Sequence, residues 1–305
     1  MAKTKPRAKP TAPKSSVPLK AKAAAWGADG TLAVLAARGA TLVGLVVRDG
    51  RIVDEVSAIS RAKRIAILPS GTILTIDGDG KARASGDGAP RSVHTKLSVV
   101  ELAVCGGIAY VGGWHGSLGK LDEAAGTWSG LGLRDAIAPH LPADGPSAKG
   151  KIHSIIEGSS GPIVGVYCTY HQTVVFEWTG AWKLRGKIDA RVNALARSPD
   201  DDIVYAIGDE LWALDGTRTR KLAALEYGED QWSAGWLAGK SGGLLTADLA
   251  SVSRLSLDGT LKEILRARRE VPDNHSLFVS GTNAAFVAGG SVFVLDGKAF
   301  HELEL

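Results

Sequence analysis

Two aromatic–histidine pairs carry the residue types best suited to recognition, Trp114-His115 and Tyr170-His171. A large ring beside a polar group is the composition of a binding hot spot. Histidines with acids nearby also suit metal ligation or proton transfer. Asp209-Glu210 supplies acids, and His153, Asn193, Asp230 and His275 are the further candidates for an enzyme site.

Other motifs read as backbone geometry. Gly239-Lys240-Ser241-Gly242-Gly243 matches the G-x-S-x-G nucleophile pattern. That pattern needs a strand-to-helix elbow, and its flanks here are strand-like. The same Gly-Lys-Ser is not a phosphate loop, because Ala234 stands where the leading glycine belongs. Asp77-Gly78-Asp79-Gly80 opens like a calcium loop, but Lys81 puts a cation where an oxygen ligand is needed, so a tight turn is expected. Asn274-His275-Ser276 is a glycosylation sequon, of no consequence in a cytosolic protein. No metal and no cofactor are expected.

The elements that position these residues are short strands. Arg191–Ala224 shows the unit: Val192–Ala196 is an apolar-leaning inner strand, and Ser198–Asp202 a turn built on Pro199 and aspartates. The β-branched and aromatic run Ile203–Ile207 is a second strand, and Leu211–Leu214 a third. Asp215-Gly216 is read as a type I′ hairpin turn, followed by a half-polar outer strand at Thr219–Ala224.

The last turn gives the period. Its glycine recurs at Gly50, Gly88, Gly126, Gly180, Gly216, Gly259 and Gly297, with spacings of 38, 38, 54, 36, 43 and 38 residues. Four strands repeated near every forty residues predict a single seven-bladed β-propeller of four-stranded antiparallel blades, an all-β fold, over residues 26–305. The long spacing marks an insertion at 131–150 between blades three and four, expected as a loop. A helical reading fails because the apolar runs are short and glycine, costly inside helices, totals 38. A two-sheet sandwich does not predict seven evenly spaced turns of one kind.

Blade three resembles a kelch repeat: Tyr110-Val111-Gly112-Gly113, then Gly116, then Gly126-Thr127-Trp128. In the broad sense the chain is similar to the WD40 and kelch propellers. The resemblance covers one blade well. Gly289-Gly290 has no following Trp, Trp182 has no preceding Gly-Gly, and WD40 Gly-His and Trp-Asp marks are absent. It therefore implies architecture and transfers no functional residues.

Charge is unevenly placed. Residues 1–25 hold seven of the 36 Lys/Arg and none of the 32 Asp/Glu, so residues 26–305 carry 29 basic against 32 acidic groups. The Lys/Ala/Pro-rich stretch 1–25 is expected to be a disordered tail, able to meet nucleic acid or an acidic partner electrostatically. No aromatic interleaves its lysines, so base stacking by the tail is not expected. Cys105 and Cys168 are expected as buried thiols in adjacent blades. No apolar run approaches a membrane span and no secretory signal is seen, so a cytoplasmic monomer is expected.

In a propeller, ligands meet the face made by the second-to-third strand turns and the inter-blade links. Here that face carries Trp114, His115, Tyr170, His171, Asp209 and Glu210. The leading expectation is a non-catalytic binding or scaffold module gripping a protein partner through those six residues. The alternative is a propeller enzyme, a lactonase-like hydrolase or a lyase, with its site at the channel mouth around His153, Asn193, Asp230 and His275.

Overall fold

The computed structural model describes residues 17–86, 89–141, 150–226, 231–239, 242–267, 277–297 and 299–305. Seven four-stranded antiparallel sheets, each a simple meander, form the blades. Blade one holds β1 (Leu19–Trp26), β2 (Leu32–Arg38), β3 (Thr41–Arg48) and β4 (Arg51–Ser57). Blade two holds β5 (Arg64–Ile67), β6 (Ile73–Ile76), β7 (Ala82–Ser85) and β8 (Arg91–Ser92). Blade three holds β9 (Val99–Cys105), β10 (Ile108–Gly113), β11 (Leu118–Asp122) and β12 (Thr127–Gly130). Blade four holds β13 (Lys151–Glu157), β14 (Pro162–Thr169), β15 (Gln172–Trp178) and β16 (Trp182–Ile188). Blade five holds β17 (Val192–Arg197), β18 (Val204–Gly208), β19 (Glu210–Asp215) and β20 (Arg218–Ala224). Blade six holds β21 (Ser233–Leu237), β22 (Gly243–Ala247), β23 (Ser251–Leu255) and β24 (Leu261–Arg266). Blade seven holds β25 (Leu277–Ser280), β26 (Asn283–Ala288), β27 (Ser291–Asp296) and β28 (Ala299–Leu303).

Each seam between blades encloses one apolar cluster, because a twisted sheet must cover both faces. The three–four seam, for example, packs Cys105 and Tyr110 against Ile152, Val166, Cys168 and Phe176. Both thiols are buried and free, and burial pushes the Cys168 thiol up to about 11. The seven–one seam closes the ring by packing Ala21, Val34 and Val43 on Ala285, Val287 and Val292. The Ala21 N–H donates to Gly290 O across it at 2.7 Å. Every blade is built from consecutive strands, so closure needs no strand exchanged between the two ends.

Of the glycines that set the period, Gly50, Gly126, Gly180, Gly216, Gly259 and Gly297 adopt positive φ, and Gly88 lies outside the described residues. In blade one Asp49 and Gly50 are both positive (49° and 70°), the type I′ turn. In blade five Asp215 pairs with Arg218, and only Gly216 of the two loop residues is positive, at 57°. That hairpin is therefore of the II′ kind rather than the expected I′. Gly112 and Gly113 of the kelch-like blade have a steric reason. A Cβ at Gly112 would lie 2.5 Å from Ile152 Cγ2, and one at Gly113 would lie 2.4 Å from Ser98 O.

Two expected boundaries move. Strand β1 begins at Leu19, so residues 19–25 belong to the propeller rather than to the tail; the alanine run 23–25 pairs with β2 and buries Ala23 and Ala24. Residues 1–16 lie outside the described residues. The insertion is not simply a loop: Leu133–Ile137 forms a short helix, α1, with Leu133 and Ile137 buried in the three–four seam. Trp182 Nε1 donates to Leu131 O at 2.7 Å and fixes its start. The Gly116 N–H donates to Gly150 O at 2.7 Å and fixes its end. Residues 142–149 lie outside the described residues.

Candidate functional site

The inner strands β1, β5, β9, β13, β17, β21 and β25 surround the axis and run in one direction. Strand starts meet strand starts: the Leu277 N–H donates to Ser233 Oγ at 3.2 Å. Strand ends meet strand ends: the Ala238 N–H donates to Gly281 O at 2.8 Å. One face of the ring therefore gathers the inner-strand starts and the turns β10–β11 and β14–β15.

Four inner strands break register near their starts. The residue left unpaired is Lys22 in β1, Val100 in β9, His153 in β13 and Asn193 in β17. A bulge re-aims its extra residue, and bulges gather beside functional sites. His153 and Asn193 line an axial channel of about 500 Å³ together with Glu101 and Trp232. Gly165 of β14 makes room for the His153 imidazole, since a Cβ there would sit 2.7 Å from it. That ring stacks on Tyr167 with centroids 4.2 Å apart. Tyr167 Oη lies 3.5 Å from Asn193 Oδ1.

The rim is cationic and aromatic. Lys151, first residue of β13, holds Nζ 5.2 Å from the Trp114 ring centroid. Arg191, just before β17, stands 5.3 Å from the Tyr170 ring and 5.4 Å from the Trp232 ring. Its Nη1 donates to Tyr170 Oη at 3.1 Å. Arg64 Nη2 donates to the carbonyl of the bulged Val100 at 3.0 Å. Burial draws the Lys151 ammonium below the ordinary lysine range; the charges of Arg191 and Arg64 add to this and Glu101 opposes it. Burial raises the Tyr167 phenol, against the pull of Arg191. The rim thus offers fixed positive charge, π faces, a neutral phenol and a carboxylate, the means to hold an anion and move a proton.

Of the six residues expected on the partner face, Trp114 is 43% and Tyr170 68% exposed, each with a cation over its ring. His171 meets Tyr170 edge to face at 4.8 Å, and His115 sits in the β10–β11 turn with φ 60°. Asp209 is exposed, and its carbonyl accepts from the Leu225 N–H at 3.0 Å. Glu210 opens β19, where its carboxylate accepts from Trp212 Nε1 at 3.0 Å and binds Lys221, so it serves its own blade. Each aromatic–histidine turn carries a cation on its ring, Lys151 on Trp114 and Arg191 on Tyr170, and neither cation belongs to a sequence motif. The signal for them was positional: Arg64, Lys151, Arg191 and Trp232 all stand at or just before an inner-strand start. Asp230 and His275, with Tyr227, Glu229, Arg268 and Arg269, lie outside the described residues.

Among the described residues no three His, Cys, Asp or Glu side chains come together to hold a metal ion. Asp77 Oδ1 accepts from the N–H groups of Asp79 and Lys81, both at 2.9 Å, which makes the calcium-like stretch a turn. The G-x-S-x-G stretch lies between the paired strands β21 and β22, and its Lys240 and Ser241 lie outside the described residues. No helix among the described residues is long and apolar enough to cross a membrane.

No family model matches this sequence, and no curated protein matches it. Solved structures do match. A catalytically inactive virginiamycin B lyase from Staphylococcus aureus with quinupristin is 11% identical, with a TM-score of 0.61 over 95% of this chain and 97% of that one. A streptogramin B lyase is 12% identical, with a TM-score of 0.51 over 95% and 85%. The computationally designed Ika8 protein is 15% identical, with a TM-score of 0.57 over 93% and 86%. At these identities the likeness shows the propeller fold; membership of a WD40 or kelch family is not among what it shows.

Proposed function

We propose that the protein is a propeller enzyme, a lyase or a hydrolase, acting on a small anionic molecule at the axial mouth. The observation that carries this is convergence. Arg64, Glu101, Lys151, His153, Arg191, Asn193 and Trp232 reach one rim and channel from five blades. A ring held together only by its seams does not require charged and aromatic residues at its axis. The lyase activity named for two propellers of the same fold favours catalysis over a purely structural role. In this reading Arg191 and Arg64 attract the anion, Trp114 and Trp232 wall it, and Tyr167, Glu101 and His153 handle protons. A thermal-shift panel of small carboxylates and phosphates, with products followed by mass spectrometry, tests it. Saturable stabilisation lost in Arg191→Ala supports the reading; no response, or one indifferent to Arg191→Ala, overturns it.

A second reading, a protein partner on the same face, is favoured by the exposure of Trp114 and Tyr170. Affinity capture with the Trp114→Ala/Tyr170→Ala double variant tests it, and an unchanged partner set rejects it.

A further inference from the structure

Lys151 differs in setting from the exposed lysines. It is half-buried at the channel rim, with its Nζ on the Trp114 indole. Arg191 from the link before β17, Arg64 from β5 and Glu101 from β9 are the charged groups that act on it. Its cross-strand partner on β14 is Tyr167. By contrast Lys183, Lys187 and Lys221 are exposed, and the last two pair with Asp189 and Glu210. A lysine partly withdrawn from water and set near other cations is shifted toward its neutral, nucleophilic form.

We propose that Lys151 forms an imine with a small aldehyde or ketone that also carries a carboxylate, a 2-oxo acid being the simplest class. This rests on the channel-mouth reading above and names its substrate class and reacting atom. The guanidinium groups that disfavour the ammonium also attract the carboxylate. The neutral amine adds to the carbonyl carbon, and the carbonyl π pair moves to oxygen. A proton passes from nitrogen to that oxygen, giving the carbinolamine. The Tyr167 phenol supplies a second proton, the C–O bond breaks and water leaves. The product is an iminium ion, with the phenolate reprotonated from solvent. The iminium draws electrons from the adjacent carbon, which is what bond cleavage at that position requires. Water adds back to release the carbonyl and restore the amine.

The test incubates the full chain with pyruvate, traps with cyanoborohydride and maps adducts by mass spectrometry. Cyanoborohydride delivers hydride to the iminium and leaves a stable secondary amine. A lowered amine pKa raises the neutral fraction at a given pH, so Lys151 is expected to label faster than the exposed Lys183 and Lys187. Lys151→Arg should keep the wild-type melting temperature and lose the adduct. No adduct at Lys151, or labelling no faster than at the exposed lysines, overturns the proposal. Succinate, which has no reactive carbonyl, separates the two readings. If it stabilises wild type but not Arg191→Ala while Lys151 stays unlabelled, the imine falls and the anion site stands. If succinate also fails, both fall.

Discussion

Arg191 and Lys151 share one rim but use their charge differently. Arg191 keeps its charge under all ordinary conditions and is fixed between two rings and two tyrosine hydroxyls. Lys151 is the titratable partner. Burial lowers its pKa first, Arg191 and Arg64 lower it further, and Glu101 works against them. Its trapping rate should therefore rise with pH and level off below the range of an exposed lysine. Arg191→Met should move the curve upward; a curve matching free lysine would refute this. A second prediction concerns Gly165. An Ala there meets the His153 imidazole at 2.7 Å and Leu195 Cδ1 at 3.0 Å. Overpacking of this kind costs about 1–3 kcal/mol, so Gly165→Ala should lower stability by that amount in urea melts and weaken anion binding. Wild-type behaviour in both would show that the ring has slack.

At the scale of the element, bulges aim side chains the regular ladder would turn elsewhere. The inner-strand bulges place His153 and Asn193 on the channel. A bulge in β16 places Arg185 inside the four–five seam. There Arg185 Nη1 lies 3.2 Å from both Glu177 and Asp202, and Arg197 Nε donates to Asp202 at 2.6 Å. Breaking a buried ion pair leaves an uncompensated charge, so Arg185→Ala should cost about 3–5 kcal/mol by denaturant unfolding. A loss below about 1 kcal/mol would mean that water replaces the guanidinium, as at exposed pairs. Burial resists ionisation of Asp202, but Arg197 and Arg185 outweigh it and hold its carboxyl below the usual range. A depressed carboxylate stabilises the fold above its unfolded pKa, and that contribution fades as pH falls through the folded pKa. Acid should therefore weaken wild type more than Asp202→Asn. Helix α1 carries a further expectation. Ile137→Ala empties a fully buried site in the three–four seam and should cost about 2–5 kcal/mol.

These elements were unequally legible. The strands of Arg191–Ala224 follow from β-branched runs between turn residues and are nearly where that pattern puts them. The insertion was expected as a loop because its prolines hid the apolar spacing of Leu133 and Ile137. No residue type announces that β13 and β17 bulge at His153 and Asn193. The extra residue is set by pairing between strands, and a local pattern cannot show it.

At the scale of the whole molecule, the ring closes without strand exchange through an apolar seven–one seam, where Ala21, Ala24, Leu32 and Leu45 pack with Ala285, Val287 and Val292. Strand β1 starts on the face that carries the aromatic rim, so the chain before it joins the fold on that side. Residues 1–16 bring Lys3, Lys5, Arg7, Lys9 and Lys14. Five such charges can contribute at most about 3.5 to the salt slope of single-stranded nucleic-acid binding. Deleting residues 1–16 is expected to remove that slope in a filter-binding titration. A slope unchanged by deletion would assign the binding to the propeller instead.

The sequence by itself determined the architecture. Seven hairpin turns at a period near forty residues, with short strands between them, admit few folds other than a ring of blades. It also marked Trp114 and Tyr170, because aromatic residues in turns are visible one blade at a time. Only the tertiary structure decided what lies between them. Lys151, Arg191, Arg64 and Glu101 come from four different blades. They become neighbours because the inner-strand starts of blades two to five converge on one axis, and spacing along the chain carries no record of it.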